Sequence, residues 1–407
     1  MRFIFIFIVL TFFTTKITAQ QFLPEGTWRV ALTLQNQELP FLLETKLEKG
    51  KQLAYIRNGE ERLLLDEFLQ VGDSITVTLH VFDAILRGKV ENGNTWKGYW
   101  IKLDAKKPYF IPFIATLGEK ERFIMDKNTD SPTQFAGKWD VVFKDSGGMS
   151  YNAVGVFKQK KDKLTGTFLT TTGDYRYLEG VVAGKTFRLS TFDGNHAFLF
   201  QATAENENVC KGQFWAGKGG YETFTASRNE KAHLPDANAL TYLKDGYDRL
   251  TFSFPNLEKK MVALEDDRYK GKVVIIQLLG SWCPNCMDET SFLAPYYQKN
   301  NKYGLEVIGL AYERTPDFEQ AKVRLEKLKK RYNIDYELLV AGINDKTEAG
   351  KTLPALNAVL AFPTTIFIDK QGKVRRIHTG FTGAGTGNYY EKFKEDFRDF
   401  VNQLLKE

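Results

Sequence analysis

The apolar pattern of this chain changes its period once, near residue 228, and a single packed architecture cannot satisfy both halves. Before that point apolar and polar residues alternate, as in Ile75-x-Val77-x-Leu79-x-Val81 and Phe198-x-Phe200-x-Ala202, with Gly, Asn and Asp between the runs. A period of two puts one side of each segment in a core and the other in water, which is the pattern of antiparallel strands. After about residue 247, short apolar runs alternate with helical spacing. Strands are expected at 250–254, 272–279, 305–311, near 338, at 364–368 and at 373–378. Helices are expected from 284, over 318–332, around 353–360 and over 390–404. At 407 residues the chain also exceeds one ordinary core. The expected fold is multidomain: an N-terminal all-β region of antiparallel barrels or sandwiches, then a C-terminal α/β domain with a mixed sheet.

The β region contains a diverged duplication. Gly26-Thr-Trp28 answers Gly137-Lys-Trp139, Phe82-Asp83 answers Phe192-Asp193, Lys97-Gly98 answers Lys211-Gly212, and Phe113 answers Phe224. The offset stays nearly constant, so each unit has room for roughly eight strands. The units are placed at residues 20–128 and 129–228, followed by a polar linker at 229–247 and the α/β domain at 248–407. The Gly-x-Trp starts resemble those of lipocalin-type and avidin-type barrels, which leaves two readings, a ligand cup or a tryptophan plugging the barrel end. No polar cluster marks a cup.

Residues 1–19 read as a secretory signal peptide: Met1-Arg2, an apolar run from Phe3 to Phe13, and a small residue, Ala19, before Gln20. The run is shorter than the roughly 20 apolar residues of a spanning helix. The expectation is an exported protein of the periplasm or cell envelope, associated with a membrane only if this segment stays uncleaved. Lys and Arg number 56 against 50 Asp and Glu, and the two signs are interspersed. Nothing resembles a nucleic-acid footprint.

An exported chain can keep disulfides, yet this one has three cysteines, Cys210, Cys283 and Cys286. The buried-looking strand at 273–279 runs into Gly280-Ser-Trp282-Cys283-Pro-Asn-Cys286-Met-Asp-Glu289, and a helix follows. A cysteine at a helix start faces unpaired N–H groups and the positive end of the helix dipole, which stabilise a thiolate. Pro284 suits the first helical position. Two cysteines three residues apart there can close and open a disulfide and so exchange electrons with other thiols. A zinc site would need about four ligands, and beyond the pair there remain Cys210 and four scattered histidines. A structural staple across two residues closes too small a loop to stabilise much. Cys210 aligns with Trp96 of the first repeat, an apolar position, and reads as a buried thiol.

With these residues in view, the region from about 249 resembles the TlpA/ResA branch of the thioredoxin superfamily, exported disulfide reductases of the bacterial envelope. Trp282-Cys-Pro-Asn-Cys286, Phe252-x-Phe254-Pro, Tyr269-Lys-Gly-Lys-Val-Val274 and Phe362-Pro363-Thr-Thr365 carry the resemblance. It implies that Cys283 attacks and Cys286 resolves. It also implies that Pro363 is a cis-proline shaping a substrate groove with Trp282, Phe362 and Thr364, and that Glu289 handles a proton. Gln277 stands where thioredoxins carry a buried acid. A solvent-facing first-turn glutamate is the alternative for Glu289.

The function expected is reduction of protein disulfides, with protein thiols or disulfides as partners. No cofactor is called for, and electrons come from an unidentified envelope donor, since no nucleotide or flavin motif is present. Two alternatives stand beside it. One is a peroxiredoxin-like thiol peroxidase, against which Gly280 occupies the place of the threonine in P-x-x-x-T-x-x-C. The other is an envelope binding protein whose β region captures a ligand or partner.

Overall fold

The computed structural model describes residues 23–103, 107–124 and 131–407. The expected signal peptide lies outside them. No helix of the described residues is long and apolar enough to cross a membrane.

The N-terminal region is all-β and built twice over. Among the described residues each repeat has nine strands, one more than the length suggested. In both, the first strand (Gly26–Leu34, Gly137–Asp145) lies between the second (Gln37–Glu48, Ser150–Lys160) and the last (Tyr109–Leu117, Gly220–Arg228). The second repeat closes on itself. Its strand Lys163–Thr170 pairs on one side with Ser150–Lys160 and on the other with Leu178–Ala183, so the sheet closes into a barrel, with the short strand Gly173–Asp174 added at the end of Lys163–Thr170. The first repeat stays a half-barrel, because Glu61–Leu65 and Phe68–Val71 end the sheet on opposite sides.

The Gly-x-Trp starts have a structural use. Trp28 and Trp139 are buried, and each donates its indole N–H to a carbonyl four residues earlier, Pro24 at 3.1 Å and Phe135 at 2.9 Å. The barrel interior is filled by rings. Phe200 stacks on Phe214 with centroids 4.3 Å apart, and Phe143, Phe168 and Phe224 crowd around them. Cys210 is buried in the same cluster, where burial pushes its thiol up to about 12.

The C-terminal domain has a five-stranded sheet with helices against it. After a separate two-stranded ribbon, Ser253–Pro255 with Met261–Ala263, where a strand was expected at 250–254, the sheet and its helices are β1 (Val273–Leu279), α1 (Pro284–Asn300), β2 (Leu305–Glu313), α2 (Phe318–Tyr332), β3 (Glu337–Ile343), α3 (Lys346–Thr352), β4 (Thr364–Ile368), β5 (Val374–Thr379) and α4 (Asn388–Lys406). The order is β3-β2-β1-β4-β5, with β1, β2 and β3 parallel, β4 antiparallel to β1, and β5 antiparallel to β4 and so running the same way as β1. Every residue of β1 is buried, as expected of a central strand covered on both faces. Asp317 caps α2 by accepting from Gln320 N, and Asn333 ends it in a left-handed conformation.

One expected helix moves. The apolar spacing of Leu353, Leu356 and Leu360 suggested a helix over 353–360, but the helix is α3, capped by Asp345. Pro354 disfavours helical backbone at Leu353 and carries no N–H, so turns follow instead.

The β region and the α/β domain are docked tightly. Arg324, Lys327 and Arg331 on α2 pair with Asp83, Glu67 and Asp66 of the first repeat at 2.5, 3.2 and 2.6 Å. One apolar core runs from the half-barrel into the α/β domain. Residues 229–247 also lie against that domain: a helical turn, Ala237–Leu240, packs on β5, Thr379 donates its hydroxyl to Thr241 at 2.8 Å, and Tyr242 N–H donates to Asn357 at 2.9 Å.

Candidate redox site

β1 ends at Leu279, and Gly280, Ser281 and Trp282 carry the chain round to α1. Glu313, at the end of β2, holds this turn by accepting from Ser281 N–H at 2.8 Å and Ser281 Oγ at 2.7 Å. Burial raises the Glu313 carboxyl, against the pull of those two bonds. Trp282 donates Nε1–H to the Tyr312 carbonyl at 2.8 Å and meets the Phe362 ring edge-on.

Cys283 is the N-cap of α1, with Pro284 in the first turn, and its sulfur accepts from Cys286 N–H at 3.2 Å. Cys283 and Cys286 form a disulfide pair with Cα atoms 5.2 Å apart. Cys283 is 5% exposed and Cys286 0%. The Phe362–Pro363 peptide is cis, and the Phe362 carbonyl lies 3.4 Å from Cys283 Sγ. Thr364 is wholly buried and its hydroxyl turns back to the Ala361 carbonyl at 2.8 Å, so it braces the turn without lining a surface.

Glu289 is buried, at 1% exposure, and does not face solvent as its alternative reading had it. It sits one helical turn beyond Cys286, where it accepts from Gln277 Nε2 at 2.7 Å and from the Thr365 hydroxyl. Gln277 and Thr365 face each other across β1 and β4. Burial pushes the Glu289 carboxyl up to about 7, the bonds from Thr365 and Gln277 pulling the other way.

A second set of residues at the motif went unnoticed in the sequence. Arg176, from the second repeat, is buried and paired with Asp288 of α1, with Glu61 of the first repeat and with Asp193 at 3.3 Å. Burial raises Asp288 to about 7 and Arg176 opposes the shift, while Glu61 adds to it. Asp193 stays well below the usual carboxylate range, because His196 and Arg176 outweigh its burial. The Phe82-Asp83 and Phe192-Asp193 landmarks are thus docking corners. The first reaches Arg324, and the second reaches Arg176 and, through the Asn195 turn, Trp282.

Residues 246–377 match the AhpC/TSA family model. The C-terminal part of this chain is a thioredoxin-superfamily domain, and its activity is that of a thiol-disulfide oxidoreductase. The thiol-disulfide oxidoreductase ResA of Bacillus thuringiensis subsp. konkukian is 27% identical over 159 residues, which is 39% of this chain and 78% of that protein. ResA of Geobacillus thermodenitrificans is 30% identical over 131 residues, 32% of this chain and 66% of that protein. Among solved structures, a thiol:disulfide interchange protein of Chlorobium tepidum is 20% identical, with TM-score 0.30, covering 40% of this chain and 99% of its own. A secreted thiol-disulfide isomerase of Corynebacterium glutamicum is 20% identical, with TM-score 0.32, covering 43% and 97%.

Proposed function

We propose that this thioredoxin-like domain reduces protein disulfides outside the cytoplasm through Cys283 and Cys286. The observation that carries the reading is the cysteine pair at the start of α1, with the cis Phe362–Pro363 peptide against the first sulfur and Glu289 buried behind the second. The Cys283 thiolate attacks one sulfur of the substrate disulfide, forming a mixed disulfide and releasing a substrate thiolate. The Cys286 thiolate then attacks Cys283 Sγ, freeing the second substrate thiol and leaving the chain oxidised. An envelope dithiol donor returns two electrons. Glu289 is the proton acceptor for the Cys286 thiol, since a carboxyl raised to about 7 changes state near neutral pH. Export rests on the leader-like residues 1–19.

The test is reduction of a disulfide-bonded protein by the pre-reduced chain, with peroxide consumption measured beside it. Reduction that vanishes in Cys283→Ser supports the proposal. Peroxide turnover without disulfide exchange would favour the peroxidase alternative.

A further inference from the structure

The redox motif is gripped by the second β repeat. Asn195 Nδ2 donates to the Trp282 carbonyl at 2.9 Å, Arg176 donates to the Pro284 carbonyl at 3.2 Å, and Asn285 Nδ2 donates to the Asp174 carbonyl at 3.2 Å. The Asp174 carboxylate accepts from Gly383 N–H at 2.7 Å, so the loop before Arg176 is wedged between the motif and the segment preceding α4. The fit leaves no slack: a Cβ at Gly173, whose φ is +143°, would stand 2.3 Å from Asn285 Nδ2. Pro284 and Asn285 are buried as a result.

This wall is built into the fold. Arg176 is tied at once to Glu61, Asp193 and Asp288, one group from each structural unit, and Asn195 is held by Lys102 of the first repeat and by Asp193. Lifting it would break the Arg176 pairs and pull Phe192, Leu199 and Trp215 of the second repeat out of the apolar core they share with the half-barrel. Thiol-disulfide exchange needs the attacked sulfur presented end-on to Cys283, with its leaving sulfur beyond it, and access sets the rate. Cys283 is 5% exposed. An extended chain, about 5 Å across, needs far less room beside such a wall than the body of a folded domain.

We propose, resting on the oxidoreductase reading above, that Asp174, Arg176 and Asn195 are specificity-determining residues. They make the β region a fixed wall of the redox site, which admits disulfides on small molecules or extended chain and excludes disulfides on a folded surface.

The experiment compares two maleimides on the reduced full chain in a Cys210→Ser, Cys286→Ser background, where Cys283 alone reacts. One is N-ethylmaleimide and the other carries a long polyethylene glycol chain. Each rate is normalised to that of the unfolded chain. The bulky reagent should fall behind the small one on the order of tenfold, and Asn195→Ala and Arg176→Lys should close much of the gap while the far-UV spectrum stays unchanged. With both cysteines restored, Asn195→Ala should raise the rate on a folded disulfide protein relative to that on oxidised glutathione. Equal reactivity of the two reagents overturns the proposal, as does a gap that neither variant moves. A chain that exchanges no disulfide at all refutes the oxidoreductase reading, and the maleimide ratio still decides the wall. Arg176→Ala is avoided because it would take the shared cation from three clustered carboxylates, one of them, Asp193, fully buried.

Discussion

Gln277 donates a 2.7 Å hydrogen bond to Glu289, a side-chain amide of the central strand holding a carboxyl on the helix that starts with the redox pair. The bond runs through a site closed to water, and this fixes how Glu289 responds to pH. Its carboxyl titrates near 4.5 unfolded and near 7 in the fold, raised by burial. The folded state therefore binds the extra proton between those values, and its stability falls as pH rises through that window.

Glu289→Gln should remove this dependence. The loss in wild type between pH 4.5 and 7 amounts to about 3 kcal/mol, and the variant should be the more stable of the two above pH 7 by a comparable amount. Denaturant unfolding of both chains at pH 5 and pH 8 checks this. Parallel pH curves would show that Glu289 does not carry the proton. The same variant should slow disulfide exchange and shift its pH-rate profile.

Trp139→Ala should destabilise the chain by about 3–5 kcal/mol, the usual range for a buried tryptophan lost from a packed core. The side chain is 1% exposed, packs on the Phe135 ring and bonds the Phe135 carbonyl, so truncation leaves both a cavity and a buried acceptor without its donor. Thermal unfolding of the variant measures the loss. A shift within error of wild type would mean that the tryptophan does not close the barrel.

Limited proteolysis should cut first near Lys244–Arg249. Residues 229–243 are polar in sequence, yet they hold a helical turn and bonds to Asn357 and Thr379, whereas most of the stretch from Asp245 to Arg249 is exposed. N-terminal sequencing of the first fragments locates the cut. Early cuts within the barrels would show that the β repeats are the weaker units.

What the sequence could and could not convey follows from distance along the chain. Cys283, Pro284 and Cys286 announce themselves because helix start, proline and thiol pair are neighbours, and alternation of apolar residues marks strands for the same local reason. The Arg176 cluster has no such signal, since its partners Glu61 and Asp288 lie more than a hundred residues away on either side. The burial of Glu289 depends on Gln277 and Thr365 closing over it from two strands. Repeat landmarks were visible as recurrences, but only the docked fold shows that Gly-x-Trp seals a barrel and that Phe-Asp reaches the redox domain. Closure of the second repeat and not the first likewise turns on one long-range strand pairing, between Lys163–Thr170 and Leu178–Ala183.

The last prediction separates the two sulfurs. Cys283 stands at the mouth of α1, its sulfur bonded by Cys286 N–H and aided by the positive end of the helix dipole, whereas Cys286 is fully buried one turn further in. A partner sulfur therefore reaches Cys283 first, and the mixed disulfide persists until Cys286 attacks it. Cys286→Ser should keep attack and lose resolution, so covalent partner complexes accumulate and come apart on adding reductant. Cys283→Ser should abolish both, and Cys210→Ser should change neither, because that thiol is buried in the second barrel and its pKa is pushed up to about 12. Non-reducing electrophoresis after acid quenching, with the complexes identified by mass spectrometry, reads all three variants. Complexes forming through Cys286 in the Cys283→Ser chain, at the rate seen in the reverse variant, would reverse the assignment of attacking and resolving thiols.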